Sequence, residues 1–198
     1  MKFTRDWFDH NIPVWKKVLR PLIGKPVRIA EIGSFEGRSS VWLLDNILTH
    51  KDAVLVCVDT WNGSAEHDDI DMKKVEERFD SNISTYGDKV IKYKGRSDRF
   101  LTAFYKDEDI KFDVIYIDGS HLARDVLCDA VLADKLLKPG GILIFDDYIW
   151  NGGLAHSTET PRAAIDAFME CYATQYQLLS SGNQVMLRKN GQDKDTTI

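Results

Sequence analysis

Cysteine is scarce in this chain of 198 residues: Cys57, Cys128 and Cys171 are the only three. Their number is odd and no C-x-x-C spacing joins them. That speaks against a disulfide framework and points to free thiols in a reducing compartment. No run approaches the ~18 apolar residues of a membrane span. The opening Met1-Lys2-Phe3-Thr4-Arg5-Asp6 makes no signal peptide, because Asp6, Asp9 and Pro13 interrupt any apolar region. A surplus of basic residues is also missing. The net charge of −5 argues against a general phosphate-binding surface, and so against nucleic acid. No internal repeat is visible. These absences leave a soluble, cytoplasmic protein, and its 43% hydrophobic content is enough for one large core.

The most informative stretch present is Ala30-Glu31-Ile32-Gly33-Ser34-Phe35-Glu36-Gly37-Arg38-Ser39-Ser40. It follows an apolar run and precedes an amphipathic one, so it reads as strand, glycine turn, helix. Such a turn at the carboxyl end of the first strand of an open α/β sheet is a ligand site. Gly33 and Gly37 remove side chains where a cofactor must approach the backbone. Glu31 is expected to place a carboxylate at the same mouth. The pattern E-x-G-x-x-x-G-x-S is neither G-x-G-x-x-G nor G-x-x-x-x-G-K-[ST]. Glu36 occupies the helix N-terminus where a phosphate would otherwise be welcome, and its charge would repel one. A cofactor with an amino acid, a ribose and no phosphate fits better, and S-adenosylmethionine (SAM) is such a molecule.

Strand and helix patterns alternate along the chain. Strands are predicted at 27–32, 54–58, 89–93, 112–117 and 142–145, with a closing hairpin at 176–179 and 184–188 around Ser-Ser-Gly-Asn. Helices are predicted at 37–48, 71–83, 97–104 with Ser97 as N-cap, 121–137 ended by Pro139-Gly140-Gly141, and 161–172. The alternation implies a mostly parallel sheet. Residues 1–189 are expected to form a single domain, and 190–198 a polar, disordered tail.

Several side chains gather at strand ends. Asp59 closes the second strand, where a carboxylate meets a ribose and can accept from both of its hydroxyls. Ser39 could hold the methionine carboxylate with backbone amides at the helix start. Trp61 is a candidate cover for the adenosine, or simply a half-buried loop residue. Asp118, Asp146 and Asp147 fall at the carboxyl ends of two central strands, ~4.8 Å apart if adjacent. Uncompensated they would repel, and a divalent cation removes that problem. Oxygen ligands with room for water favour Mg²⁺ or Ca²⁺ over Zn²⁺. His121, three residues after Asp118, is a candidate proton acceptor near pH 7. Trp150-Asn151-Gly152-Gly153-Leu154-Ala155-His156 reads as a substrate-side loop. Glu66 to Asp71 reads as acidic charge at a helix start rather than a lid. Trp7, Phe8 and Trp15 read either as a wall of the site or as a patch packing an N-terminal helix.

These motifs together resemble a class I SAM-dependent methyltransferase over roughly Asp6 to Lys189. Glu31–Ser39, Val58-Asp59-Thr60-Trp61, Tyr116 to His121 and Leu137 to Tyr148 resemble, in order and spacing, the metal-dependent O-methyltransferases of the catechol and macrolide-sugar type. The resemblance implies a Rossmann-like, doubly wound seven-stranded sheet with a reversed last strand and helices on both faces. It implies SAM contacts from Glu31, Gly33, Ser34, Gly37, Ser39, Asp59, Trp61 and Asp118, with adenine near Arg96 and Ser97. It implies a metal at Asp118, Asp146 and Asp147, and methyl transfer to a hydroxyl of a small sugar or phenolic diol. His121 or Asp118 would take the proton. Catechol O-methyltransferase carries a lysine at the position of His121, so the base stays open. Open too are a metal-independent N- or macromolecule methyltransferase, a non-enzymatic SAM-binding module, and association into a homo-oligomer.

Overall fold

The computed structural model of the chain describes residues 1–63, 70–105, 110–150 and 157–191. Seven strands form one sheet: β1 (Arg28–Ile32), β2 (Val54–Asp59), β3 (Val90–Lys94), β4 (Phe112–Ile117), β5 (Leu137–Phe145), β6 (Tyr176–Ser181) and β7 (Val185–Lys189). Their order is β3-β2-β1-β4-β5-β7-β6. The strands from β3 to β5 pair in parallel, and β7 runs antiparallel to both β5 and β6. This is the doubly wound sheet with a reversed last strand that the motif order implied.

Among the described residues six α-helices accompany the sheet: α1 (Ile12–Leu19), α2 (Arg38–Asn46), α3 (Met72–Ile83), α4 (Ser97–Phe104), α5 (Ala123–Leu136) and α6 (Pro161–Cys171). The period of two along each strand sorts its side chains between two cores. Ile29, Leu55, Val114, Ile144 and Met186 face α1, α2 and α3, around the fully buried Trp15. Ala30, Val56, Ile115, Phe145 and Leu187 face α4, α5 and α6. Burial on both faces explains why the central strands read as unbroken apolar runs. No helix among the described residues is long and apolar enough to cross a membrane.

Boundaries differ from expectation where local chemistry intervenes. The helix expected from His121 begins at Ala123, with Leu122 at its N-cap. Ser120 accepts from the Leu122 amide at 3.2 Å and donates to Asp125 at 2.8 Å, which holds His121 outside the first turn. Pro139-Gly140-Gly141 lies inside β5 and does not end the helix. Phe112 pairs with Leu137 but Val114 with Ile142, so the segment between bulges out of the ladder. Ser97 is the first residue of α4, and Arg96 is its N-cap. Of the acidic stretch only Ile70 and Asp71 are described. Asn151 to His156 and residues 192–198 of the tail also lie outside the described residues.

Candidate functional site

The sheet order turns back between β1 and β4, and the carboxyl ends of those strands open on a cleft of about 740 Å³. In open α/β sheets this is where ligands bind. Gly33, Ser34 and Ser39 line the cleft from the glycine turn, and Asp118, His121, Asp146 and Asp147 from the ends of β4 and β5.

Under the turn, Glu31 is buried and does not reach the cleft mouth as expected. Its carboxylate accepts from Ser34 Oγ at 2.8 Å, from Ser39 Oγ at 2.6 Å and from the Ser40 hydroxyl. Burial raises its pKa, and the serine donors work against that rise. Glu31 is thus a bracket that holds three serines in place. Gly33 has φ +86°, and a Cβ there would lie 1.9 Å from the Asp118 carbonyl oxygen. The glycine is required by the neighbouring strand end as much as by any ligand. Gly37, at φ +79°, gives way to the Phe79 ring at 3.1 Å. Glu36 is also buried, and Arg78 and Thr4 hold its carboxylate. Its charge is compensated, so repulsion of a phosphate is not what this turn supplies.

Asp59 braces the same turn. Its Oδ2 accepts from the amides of Ser34 and Phe35, both at 2.9 Å, and its Oδ1 from the Trp61 amide at 2.7 Å. One lone pair of Oδ1 is left over for a ligand hydroxyl by this count. Trp61 is not a cover for the cleft. It is buried against Phe79, donates from Nε1 to the Phe35 carbonyl at 2.9 Å, and carries Lys92 over its ring. Arg96 and Ser97 stand away from the cleft lining. Arg96 is exposed and paired with Asp98, and Ser97 hydrogen-bonds Asp129.

At the ends of β4 and β5 the expected carboxylates converge, with one change of membership. Asp118, His121 and Asp147 each offer a ligand atom, and these lie within 4.8 Å of one another. The His121 imidazole is 2.7 Å from Asp147 Oδ2 and packs on the Trp150 ring at 4.5 Å. Asp147 holds φ +60°, a left-handed backbone that side chains seldom adopt. Asp146 stands beside the trio, turned toward the sheet. It accepts from Gln184 Nε2 at 2.7 Å, from the Tyr116 hydroxyl, and from the Asp147 amide at 2.8 Å. Tyr116 is also 2.8 Å from Asp118 Oδ2. Burial, then the charges of Asp146 and Asp147, push the Asp118 carboxyl well above its ordinary range. Burial and Asp147 raise Asp146 as well. The Asp118 and Asp147 carboxyls, with the His121 imidazole within reach and Asp146 beside them, form a donor set that fits a divalent cation, whose charge would relieve the repulsion among the carboxyls.

Sequence reading missed Tyr116, Gln184 and, in the N-terminal wall, His10. Tyr116 had a signal: it lies two residues before Asp118 and so shares its face of β4. Gln184 had none. Trp7, Phe8 and His10 line the cleft, while Trp15 is fully buried in the core, where Phe8 packs against it. Both readings of the N-terminal aromatics are therefore realised: Trp7 as wall, Trp15 as core and Phe8 as both.

A strand order of 3-2-1-4-5-7-6 with a glycine turn at the switch point is the class I methyltransferase fold. A family model described as a methyltransferase domain matches residues 30–148. The chain belongs to that family of methyltransferase domains. The O-methyltransferase TomG from Streptomyces achromogenes, involved in tomaymycin synthesis and solved with SAM, is similar in structure. Its TM-score is 0.69 at 19% identity, over 94% of this chain and 82% of that one. The MycE methyltransferase of the mycinamycin biosynthetic pathway, solved with Mg, S-adenosylhomocysteine and mycinamycin VI, has a TM-score of 0.66 at 16% identity. The alignment covers 96% of this chain, which spans 51% of MycE. A putative rRNA-methylase from Clostridium thermocellum has a TM-score of 0.68 at 11% identity, over 98% and 100% of the two chains. No curated protein matches the chain.

Proposed function

We propose that this methyltransferase acts on a hydroxyl group of a small molecule, with a divalent cation held at Asp118 and Asp147. The convergence of Asp118, His121 and Asp147 in the cleft beside the glycine turn carries the reading. TomG and MycE are O-methyltransferase and Mg-bound relatives in fold, and they support it. Ser34 and Ser39, fixed by Glu31, present the turn to the cofactor's amino-acid end, and Asp59 receives its ribose. Arg96 and Ser97 remain proposed neighbours of the adenine. Much of the rate comes from holding methyl donor and acceptor oxygen in line. A hard cation, when bound, lowers the pKa of the acceptor hydroxyl and orients it. His121 takes the hydroxyl proton, and the Asp147 carboxylate beside it stabilises the imidazolium. Trp7 and Trp150 line the cleft and suit an acceptor that carries a ring.

A macromolecular acceptor is the rival reading, favoured by the full-length likeness to a putative rRNA-methylase. The net charge of −5 opposes it, since phosphate backbones are bound through lysine and arginine.

The test is transfer of labelled methyl from SAM to a panel of hydroxylated metabolites and to RNA. EDTA should abolish transfer and Mg²⁺ should restore it. Asp146→Asn and Asp147→Ala should remove activity while SAM still binds. His121→Ala should lower turnover by roughly 10²–10⁴ if His121 is the base. Full activity after exhaustive chelation would remove the metal, and methylation of RNA alone would remove the small acceptor.

A further inference from the structure

We propose that Gln184 is a positioning residue for the carboxylate centre, and that Trp15 fixes the sense of its amide. The inference rests on the metal-assisted reading above. Gln184 lies in the β6–β7 hairpin, where the sequence reads as the first residue of the closing strand and suggests no further role. Topology gives it a second role. β7 is antiparallel to β5 with Phe145 opposite Val185. The residue before Val185 therefore faces the residue after Phe145, which is Asp146. Gln184 is buried, and its Nε2 donates to Asp146 Oδ2 at 2.7 Å. Its Oε1 accepts from Trp15 Nε1 at 2.6 Å. The indole can only donate and the carboxylate can only accept, so the amide has one satisfied orientation. A flipped amide would set N–H against N–H and oxygen against carboxylate, leaving buried polar groups unpaired.

The same hairpin reaches the centre again one residue earlier. The Asn183 carbonyl accepts from the Tyr148 amide at 2.9 Å, and the Asn183 side chain meets His10 at 3.0 Å. The N-terminal segment, the hairpin and the loop after β5 are thereby joined on one side of the cation site. Trp15 is seated against Tyr116, Phe8 and Trp42, so the anchor of the strut is the aromatic core itself. Through Asp146 and Tyr116 the strut extends to Asp118. It holds an anionic group beside the cation site in one rotamer, and partners of this kind govern affinity even though they touch no metal.

The test is Mn²⁺ binding to the full chain in the presence of SAM, followed by calorimetry, with SAM affinity measured separately as a check on folding. Gln184→Met keeps the length and removes both polar atoms. Gln184→Asn keeps the amide but is too short to span Trp15 and Asp146. Both should weaken Mn²⁺ binding roughly 10–100-fold with SAM affinity unchanged. Trp15→Phe should weaken it in the same direction. The double variant Trp15→Phe with Gln184→Met should bind Mn²⁺ no worse than Gln184→Met alone, because the two act as one strut. Wild-type Mn²⁺ affinity in Gln184→Met or in Gln184→Asn, whichever retains SAM binding, would overturn the strut alone. A wild-type protein that takes up no Mn²⁺ would overturn the metal reading and the strut with it.

Discussion

Single carboxylates carry much of the weight in this protein, and each is decided by what surrounds it. Asp59 is tied to three backbone amides across two turns. A hydrogen bond to a charged group contributes roughly 1.5–3 kcal/mol. Asp59→Ala should therefore lower both the melting temperature and SAM affinity, the latter at least about tenfold, as calorimetry would read. A variant that loses stability but binds SAM normally would reduce Asp59 to a brace for the glycine turn. Asp129 is a different case. Burial, with Asp125 and Asp98 nearby, raises its carboxyl to about 7 against the lowering effect of Ser97, whereas in the unfolded chain it sits near ~3.9. The folded state then holds the proton more tightly. Stability from this group is full below about pH 4 and is lost as pH rises toward 7. The slope is at most about 1.4 kcal/mol per pH unit. Asp129→Asn should melt like the parent at pH 4 and at a higher temperature at pH 8. Equal melting at both values would show that Asp129 ionises normally.

The elements matter here chiefly through the segments that join them. The N-terminal residues lie over the glycine turn and are stitched to it. Thr4 donates to Glu36 through its amide and hydroxyl, both at 2.6 Å, and the Lys2 amide donates to Asn82 in α3 at 2.8 Å. Arg78, also from α3, completes the ring of donors around Glu36, which is 1% exposed. Removing one partner of a buried ion pair leaves the other charge uncompensated and costs about 3–5 kcal/mol. Arg78→Ala should show a loss of that order in denaturant unfolding. Adding Glu36→Gln should recover part of it, since the stranded charge is then gone. If the double variant is no more stable than Arg78→Ala, the pair is not what joins α3 to the turn. At the other end of the sheet, β7 runs against β5, and that reversal delivers Asn183 to the cleft and the buried Gln184 to Asp146.

At the scale of the whole molecule, the two cores on opposite faces of the sheet give the cleft a rigid floor. A ligand that binds only the folded chain stabilises it by about 2.7 kcal/mol at a hundred times its dissociation constant. SAM and S-adenosylhomocysteine should therefore raise the melting temperature, and NAD should not. A shift with NAD alone would contradict the cofactor reading. Glu36 has no part in this preference, because Arg78 compensates its charge. The turn pattern, the sheet order and the methyltransferase family to which the chain belongs favour SAM.

By itself the sequence determined the alternation of strands and helices, because buried parallel strands must be apolar throughout and amphipathic helices must repeat every 3.6 residues. It determined the glycine turn and the three aspartates at strand ends, because their chemistry stands out against apolar surroundings. Tertiary structure decided which way those groups face. Glu31 points down into a cage of serines and Trp61 into the core, since both lie where the strand's alternation or a tight loop turns them inward. His121 joins Asp118 and Asp147 because the helix starts two residues late. Asp146 is drawn aside by Gln184, a residue 38 positions away. Such pairings depend on strand register and on chain reversal, and no local pattern encodes a partner so distant.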